Sequence, residues 1–479
     1  MSTTPAASEP LTLPRSPQDE GFLQTIRAIL VGTDRDFTEG SLGRAILLLA
    51  IPMVLEMAME ALFFIVNTFW VSRLGAVAVA SVGITESLMA LVYTVGMGFA
   101  MAGTAMVARR IGEKDAKAAS VASAQVAWLA VGTGAVLGLL SGLFAPQLLR
   151  LMGASENVVS TGGTFARIVL GGQGIVLLLF VLNGAFRGTG DGAMSLRTLV
   201  IANAINLVLD PCLIFGLGPF PKLGLTGSAV ATTVGRGVGV VVQLYFLFSG
   251  KRRIHVRRET FAPDLGIIAR LVKMSLGGLG QYAVATLSWV VLVRIIARFG
   301  DQAMAGYTVV MRMIFFTMLP AWGMSNAAAT LMGQNLGAGK PRRAEQSVFR
   351  AAAYNMAFLA VEAVVVIAAT PEILSIFAKD PSILPVAVPA LRTLAYGFVF
   401  YGLGMVMVQS FNGAGDTGTP TLINLATFWA IQIPLAWCLA VWGKMGPQGV
   451  FWAVAAAYSA QAVVGLLAFR RGTWKTRTV

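Results

Sequence analysis

Arg73-Leu74-Gly75 returns as Arg298-Phe299-Gly300, Ile111-Gly112 as Leu336-Gly337, Pro146 as Pro371, and Gly188-Thr189-Gly190-Asp191 as Gly413-Ala414-Gly415-Asp416, each time 225 residues later. An unbroken offset over that distance describes one structural unit written twice, so the first half and the second must share an architecture. What the unit is follows from its apolar blocks, since about 20 apolar residues in a row are what a helix needs to cross a bilayer. Such blocks fall near 45–71, 78–107, 119–144, 162–186, 193–216 and 226–249, then 268–298, 303–331, 347–370, 386–411, 418–441 and 448–469. The spacing therefore predicts an all-α integral membrane protein of twelve transmembrane helices in two repeats of six. Six is even, so both copies run the same way through the membrane. They are parallel repeats related by an axis along the membrane normal, an arrangement that lets one half rock against the other around a site between them and so suits alternating access. With 56% hydrophobic and 12% charged residues, against roughly 25% charged in soluble domains, the chain is no soluble enzyme.

The connections set the expected orientation. Those on the side of both termini hold 25 Lys and Arg, and those on the other side hold 9. The positive-inside rule then makes both termini cytoplasmic, as befits a multi-pass protein of the inner (plasma) membrane. The net charge of +14 is read as topology and attraction to anionic lipid rather than nucleic-acid binding. The organisation expected is a cytoplasmic segment 1–40, an amino-terminal bundle 41–250, a cytoplasmic loop 251–264, a carboxy-terminal bundle 265–470 and a tail 471–479. Within the first segment, Phe22, Leu23, Ile26, Ile29 and Leu30 line one side of a short helix suited to the membrane surface. No compact signal peptide opens the chain, so an uncleaved protein is expected. One His and two Cys leave little for a His-ligated metal site, a Cys cluster or a hydrolytic triad, so neither a metal, a cofactor nor a catalytic residue is expected. Cys212 and Cys438 lie in apolar blocks and read as small packing residues, and His255 lies in the basic loop as a solvated one.

Carboxylates carry the functional signal, because an acid near the bilayer centre costs about 2.5 to 3.5 kcal/mol and needs a partner or a role. Span one carries Glu56, Glu60 and Asn67 on one face, with Phe63 and Phe64 between them. Span five carries Asn203, Asn206 and Asp210, also on one face and followed by Pro211. At about 1.5 Å per residue, Glu56 and Glu60 lie roughly 16 to 22 Å from the inner surface, Asp210 roughly 25 Å, and Glu86 roughly 12 Å below the outer surface. Glu60, Glu86, Asn67 and Asp210 are thus expected to share the outer half of the first bundle. Clustered, desolvated carboxylates bind protons readily, so the group is a candidate H⁺ or Na⁺ site. The null alternative, a structural hydrogen-bond partner, weighs most for Glu56 and Glu86. The second half differs: its deep acid is Glu362, and Asp210 has Leu435 as its repeat mate. Ion chemistry is expected in the first half alone. In the second, Gln281, Tyr282, Asn326, Tyr354 and Gln409, among Met and aromatic residues, are candidates with Asn203 and Glu362 for a cavity that takes bulky, partly apolar ligands.

The turns Arg187-Gly188-Thr189-Gly190-Asp191 and Asn412-Gly413-Ala414-Gly415-Asp416 lack the Lys-Ser/Thr of a phosphate loop and follow no strand, so nucleotide binding is not expected. In duplicate, with Thr417 and Pro420 after the second copy and with Asn206-Leu207-Val208-Leu209-Asp210-Pro211 in span five, they make residues 40 to 470 resemble the MATE family of multidrug and toxic compound extrusion transporters, closer to its DinF-like branch. The resemblance implies antiport, an amphipathic organic cation leaving as H⁺ or Na⁺ enters. It also implies that Asn206 and Asp210 match the amino-lobe cation site of that branch. The chain departs from the pattern at Val66-Asn67-Thr68, where the branch has an Asp, and it lacks the span seven and span ten acids of the NorM-like branch. Either Glu60 or Glu56 takes over, or Asp210 works with less help. H⁺ is the favoured ion, with Na⁺ open because Asn67, Asn206 and Asp210 offer oxygens. The expected partners are small cationic or amphipathic molecules and the bilayer, bound by a monomer. Two other readings were weighed: a flippase for lipid-linked saccharides, which would want an Arg- and Lys-rich cavity where only Arg236 and Arg312 lie outside the loops, and an integral membrane lipid-modifying enzyme, which would want a catalytic cluster at one face.

Overall fold

The computed structural model describes residues 35–377 and 381–477. The surface helix expected at Phe22 to Leu30 lies outside the described residues. Eleven helices are long and apolar enough to span a membrane, and a pair bent by 53° makes the twelfth. They are α1 (Leu42–Ser72), α2 (Ala76–Gly112), α3 (Ala116–Leu143), α4 (Glu156–Thr189), α5 (Gly192–Phe215), α6 (Leu225–Ser249), α7 (Leu265–Phe299), α8 (Asp301–Gly337), α9 (Pro341–Ala368), α10 (Leu384–Tyr396 with Phe398–Gly413), α11 (Gly418–Trp442) and α12 (Pro447–Arg470). No strand occurs among the described residues. Every expected span is present, with ends shifted by a few residues.

The repeat extends to features that the apolar pattern did not reveal. Helix α4 is interrupted at Gly172 and α10 at Gly397, again 225 residues apart. The tight α1–α2 and α7–α8 connections turn on Gly75 (φ 96°) and Gly300 (φ 91°), a region of backbone space that side chains with a Cβ rarely enter. Each Gly-x-Gly-Asp turn is an end-cap. Asp191 accepts from the Met194 amide and Asp416 from that of Thr419, both at 3.2 Å, satisfying donors at the start of α5 and α11. The second oxygen of each acid meets an arginine, Arg252 at 3.1 Å and Arg477 at 3.3 Å. These two arginines are themselves 225 residues apart, so the repeat runs into the tail, where Trp474 is fully buried against Phe469.

Lipid tails are as apolar as leucine, so the helices associate through close packing at small residues rather than through hydrophobic burial alone. Helices α2 and α8 cross where a Cβ on Gly112 would fall 2.0 Å from the Gln334 carbonyl oxygen, and one on Gly337 would fall 2.1 Å from that of Arg109. Arg109 and Gln334 are repeat mates, so the two contacts are one contact seen twice about the pseudo-two-fold axis. Gly98, beside the Leu279 side chain, and Gly323, beside the Val54 backbone, form a second such pair. The first turns of α1 and α7 are exchanged between the halves. Ile46, Leu49 and Met53 pack with Leu331 and Phe411, while Leu271 joins the first-half core with Met106 and Phe186.

All of these junctions lie in the helix portions nearest the described chain ends. There the segment before α1 is held by Arg253 and Arg343, which donate to the carbonyls of Arg35 (3.0 Å) and Glu39 (2.8 Å). Arg109 of the first half donates to the Arg477 carbonyl of the tail at 3.3 Å. The two halves are therefore closed against each other at the end that carries both termini.

Candidate functional site

The first-half polar residues occupy three places rather than the single outer cluster expected from depth. Asp210, fully buried on α5, lies nearest the end opposite the termini. Asn206, one turn earlier, donates to its Oδ2 at 2.9 Å and accepts from the Thr232 amide at 3.2 Å, the amide orientation that pairs both of its polar atoms. Asn67 of α1 and Ser228 of α6, joined Nδ2 to Oγ at 3.0 Å, are the other polar neighbours of the carboxylate. Oδ1 of Asp210 accepts no hydrogen bond. One carboxylate with one free oxygen, ringed by two amides and two hydroxyl residues from three helices, can hold a proton or offer oxygens to a small cation.

The second place is built around Arg236 of α6. Its guanidinium lies 5.1 Å from the Phe63 ring centroid and 3.3 Å from the Tyr93 hydroxyl, with Glu60 and Glu86 within electrostatic reach. Two acids expected beside Asp210 thus serve a buried cation instead, because α6 supplies a counter-charge at their depth. The third is a pair: Arg187 in the last turn of α4 meets Glu56 of α1 at 3.3 Å. Glu56 is 1% exposed and its Oε2 has no hydrogen-bond partner. No ion pair or hydrogen bond among the described residues joins any of the three glutamates to Asp210.

The repeat explains the third place. Adding 225 to Glu56 and Arg187 gives Gln281 and Asn412. These amides exchange two hydrogen bonds in the second half, Gln281 Nε2 to Asn412 Oδ1 at 2.9 Å and Asn412 Nδ2 to Gln281 Oε1 at 3.1 Å. One half therefore carries as an ion pair what the other carries as a neutral amide pair. Between them a narrow cavity of about 80 Å³ follows the pseudo-two-fold axis, with Met57 opposite Tyr282, Met97 opposite Trp322, and Arg187 opposite Asn412. Through Tyr282, Trp322 and Gln409 it adjoins a cavity of about 380 Å³ inside the second half. That larger space is lined by Trp289, Phe315, Tyr401, Phe428 and Tyr458, with Gln281, Asn424 and Gln461 as amides. Phe428 reaches it from a stretch of α11, Leu425–Gln432, wound as a π-helix, a winding often found at functional sites.

Of the cavity candidates named from sequence, Gln281, Tyr282, Asn326 and Gln409 line one or both spaces. Asn326 and Gln409 are joined at 2.8 Å. Three lie elsewhere. Asn203 donates to the Met59 carbonyl at 2.9 Å and ties α5 to α1. Tyr354 is exposed on α9 with its hydroxyl over Gly43. Glu362 sits half-buried on α9 beside the exposed Val361 and Val364. Depth and residue type did not separate these from the cavity, because a face of α9 can look outward as well as inward. The aromatic lining was not singled out by sequence, where tryptophan and tyrosine in apolar blocks look like packing. Arg187 was signalled, through its offset to Asn412.

The MatE family model matches residues 52–212 and again 279–438. The chain is 24% identical over 443 residues, 92% of its own length and 96% of the relative's, to the Bacillus subtilis protein named "Probable multidrug resistance protein YoeA". It is 23% identical over 431 residues, 90% of its length and 93% of the relative's, to "Probable multidrug resistance protein NorM" of Thermotoga maritima. Among solved structures it is similar to one described as the outward-facing conformation of a multidrug resistance MATE family transporter, with a TM-score of 0.85 at 23% identity, covering 92% of this chain and 98% of that one.

Proposed function

The chain belongs to the MatE family of multi-pass membrane transporters, and from that premise we propose that it is a secondary active multidrug antiporter of the plasma membrane, exporting amphipathic organic cations or related drugs in exchange for H⁺. Na⁺ is the alternative coupling ion. The observation that carries the reading is Asp210: a carboxylate fully buried in a membrane helix, with amides and hydroxyl residues around it and one oxygen left without a donor. Such a group is costly to keep unless it exchanges a proton or ion during the working cycle. H⁺ is favoured because Asp210 is the sole carboxylate of its site and Asn67 and Asn206 cannot take up charge.

The aromatic and amide-lined cavity of the second half, about 380 Å³, suits planar amphipathic molecules through stacking and cation–π contact. With the terminus-bearing end read as cytoplasmic from its excess of Lys and Arg, the conformation is closed to the cytoplasm, and extracellular H⁺ would enter at Asp210. Proton binding there and drug release would then favour the same reorientation, which is what exchange requires.

Ethidium uptake into inside-out proteoliposomes, driven by an imposed pH gradient and separately by an imposed Na⁺ gradient, tests the proposal. Uptake with the pH gradient is expected in the wild type and loss of gradient-driven uptake in Asp210→Asn, with the variant still monodisperse and stable in detergent. Full coupled uptake by folded Asp210→Asn protein would remove the proposed ion site, and no response of the wild type to either gradient would remove the antiport reading.

A further inference from the structure

We propose that Arg187 is a substrate-recognition residue for an acidic group, so that the protein prefers aromatic amphiphiles bearing a carboxylate, zwitterions included, over otherwise identical neutral-tailed molecules. This deepens the transport reading above and rests on it. Among the residues lining the two adjoining cavities, Arg187 is the one charged side chain. Glu56, which neutralises it, does not line either space and lies behind it, 1% exposed. A molecule in the cavity therefore meets a guanidinium and no carboxylate.

The guanidinium contacts Glu56 through Nη1 alone, at 3.3 Å, a long single contact that leaves the glutamate Oε2 without a partner. An arginine fork binds a carboxylate best through two parallel N–H donors at roughly 2.7–2.9 Å, so a substrate carboxylate offers Arg187 a better-fitting partner than the one it has. The aromatic body of the same molecule would lie against Trp322 and Tyr282, which border both spaces. The repeat shows that folding does not require charge here. Gln281 and Asn412 fill the equivalent place with a doubly hydrogen-bonded amide pair, so a charged pair in the first half is an addition to the structural unit and not a condition of it.

That comparison supplies the test. The double variant Glu56→Gln/Arg187→Asn copies the amide pair of the second half into the first. Binding of rhodamine B, which carries a free benzoate, and of its ethyl ester is measured on purified protein in nanodiscs by fluorescence anisotropy. The wild type is expected to bind the acid more tightly than the ester by on the order of tenfold, the scale of a charge-assisted hydrogen bond. In the double variant the ratio of the two affinities should fall to about one. A wild-type ratio near one, or an unchanged ratio in folded double variant, overturns the proposal. Should the double variant fail to assemble, Arg187→Lys keeps the charge and loses the fork. Its ratio should fall part of the way, and an unchanged ratio again overturns the proposal. Ethidium carries no carboxylate, so ion-driven ethidium uptake by the same wild-type preparation tests the transport reading separately.

Discussion

Alanine at Gly112 or Gly337 should pull the two halves apart at the terminus-bearing end. In the present conformation the added methyl would lie 2.0 Å from the Gln334 oxygen in one case and 2.1 Å from the Arg109 oxygen in the other. Both obstacles are backbone carbonyls inside helices, so no side-chain rotation relieves them, and α2 and α8 must separate by about 1 Å to restore ordinary contact. Overpacking of this kind costs about 1–3 kcal/mol. The clash exists only while the halves are closed at this end, so the cost falls on this conformer, and the population should move toward the opposite opening by roughly 5- to 150-fold. The pseudo-two-fold axis makes a further demand: the two substitutions should act alike, because each removes half of one symmetric contact. Spin labels at Lys117 and Arg342, exposed repeat mates on the two halves beside the crossing, would report the separation by pulsed dipolar spectroscopy in nanodiscs, with Cys212 and Cys438 replaced by Ala. A longer-distance population that grows in both single variants and grows further in the double is expected. Unchanged distance distributions in folded Gly112→Ala and Gly337→Ala proteins would refute the argument that this crossing holds the conformer.

Glu60→Gln should slow transport modestly without abolishing coupling, since Glu60 serves Arg236 together with Glu86; loss of pH-driven ethidium uptake equal to that of Asp210→Asn would instead make Glu60 part of the ion site. Arg187→Asn alone strands a buried glutamate and should cost about 3–5 kcal/mol, seen as a fall in thermal unfolding temperature in detergent that Glu56→Gln in the same chain largely restores. An equal fall in single and double variants would show that the pair is not the cause. Trp474→Ala removes a fully buried ring from the tail and should lower stability by about 3–5 kcal/mol; a change within about 0.5 kcal/mol would mean that the tail does not pack on Phe469 in the membrane.

The repeat and the hydrophobic blocks carried most of the fold because both are properties of residue order. A helix that must satisfy its backbone without water is forced wherever some 20 apolar residues run together, and an even number of spans per repeat leaves one relative orientation. The same offset carried more than was drawn from it. It pairs Gly172 with Gly397, Arg252 with Arg477, and Glu56–Arg187 with Gln281–Asn412, and each pair has matching places in the structure. Depth along a helix was a weaker guide. It located Glu60, Glu86 and Asp210 at similar heights but carried no information on which neighbouring helix faces each, and that is what divides them between Arg236 and the Asn67–Ser228 pair.

Residue order by itself thus determined a membrane protein of twelve spans in two like-oriented halves, with acids confined largely to the first, since these follow from the cost of placing polar groups in hydrocarbon. Tertiary structure alone decided which charges meet, which end is closed, and that the aromatic residues of the second half enclose a cavity. Those outcomes depend on the rotation and approach of helices about one another, set by glycine contacts and side-chain packing between residues far apart in the chain, and no periodicity along a single helix encodes them.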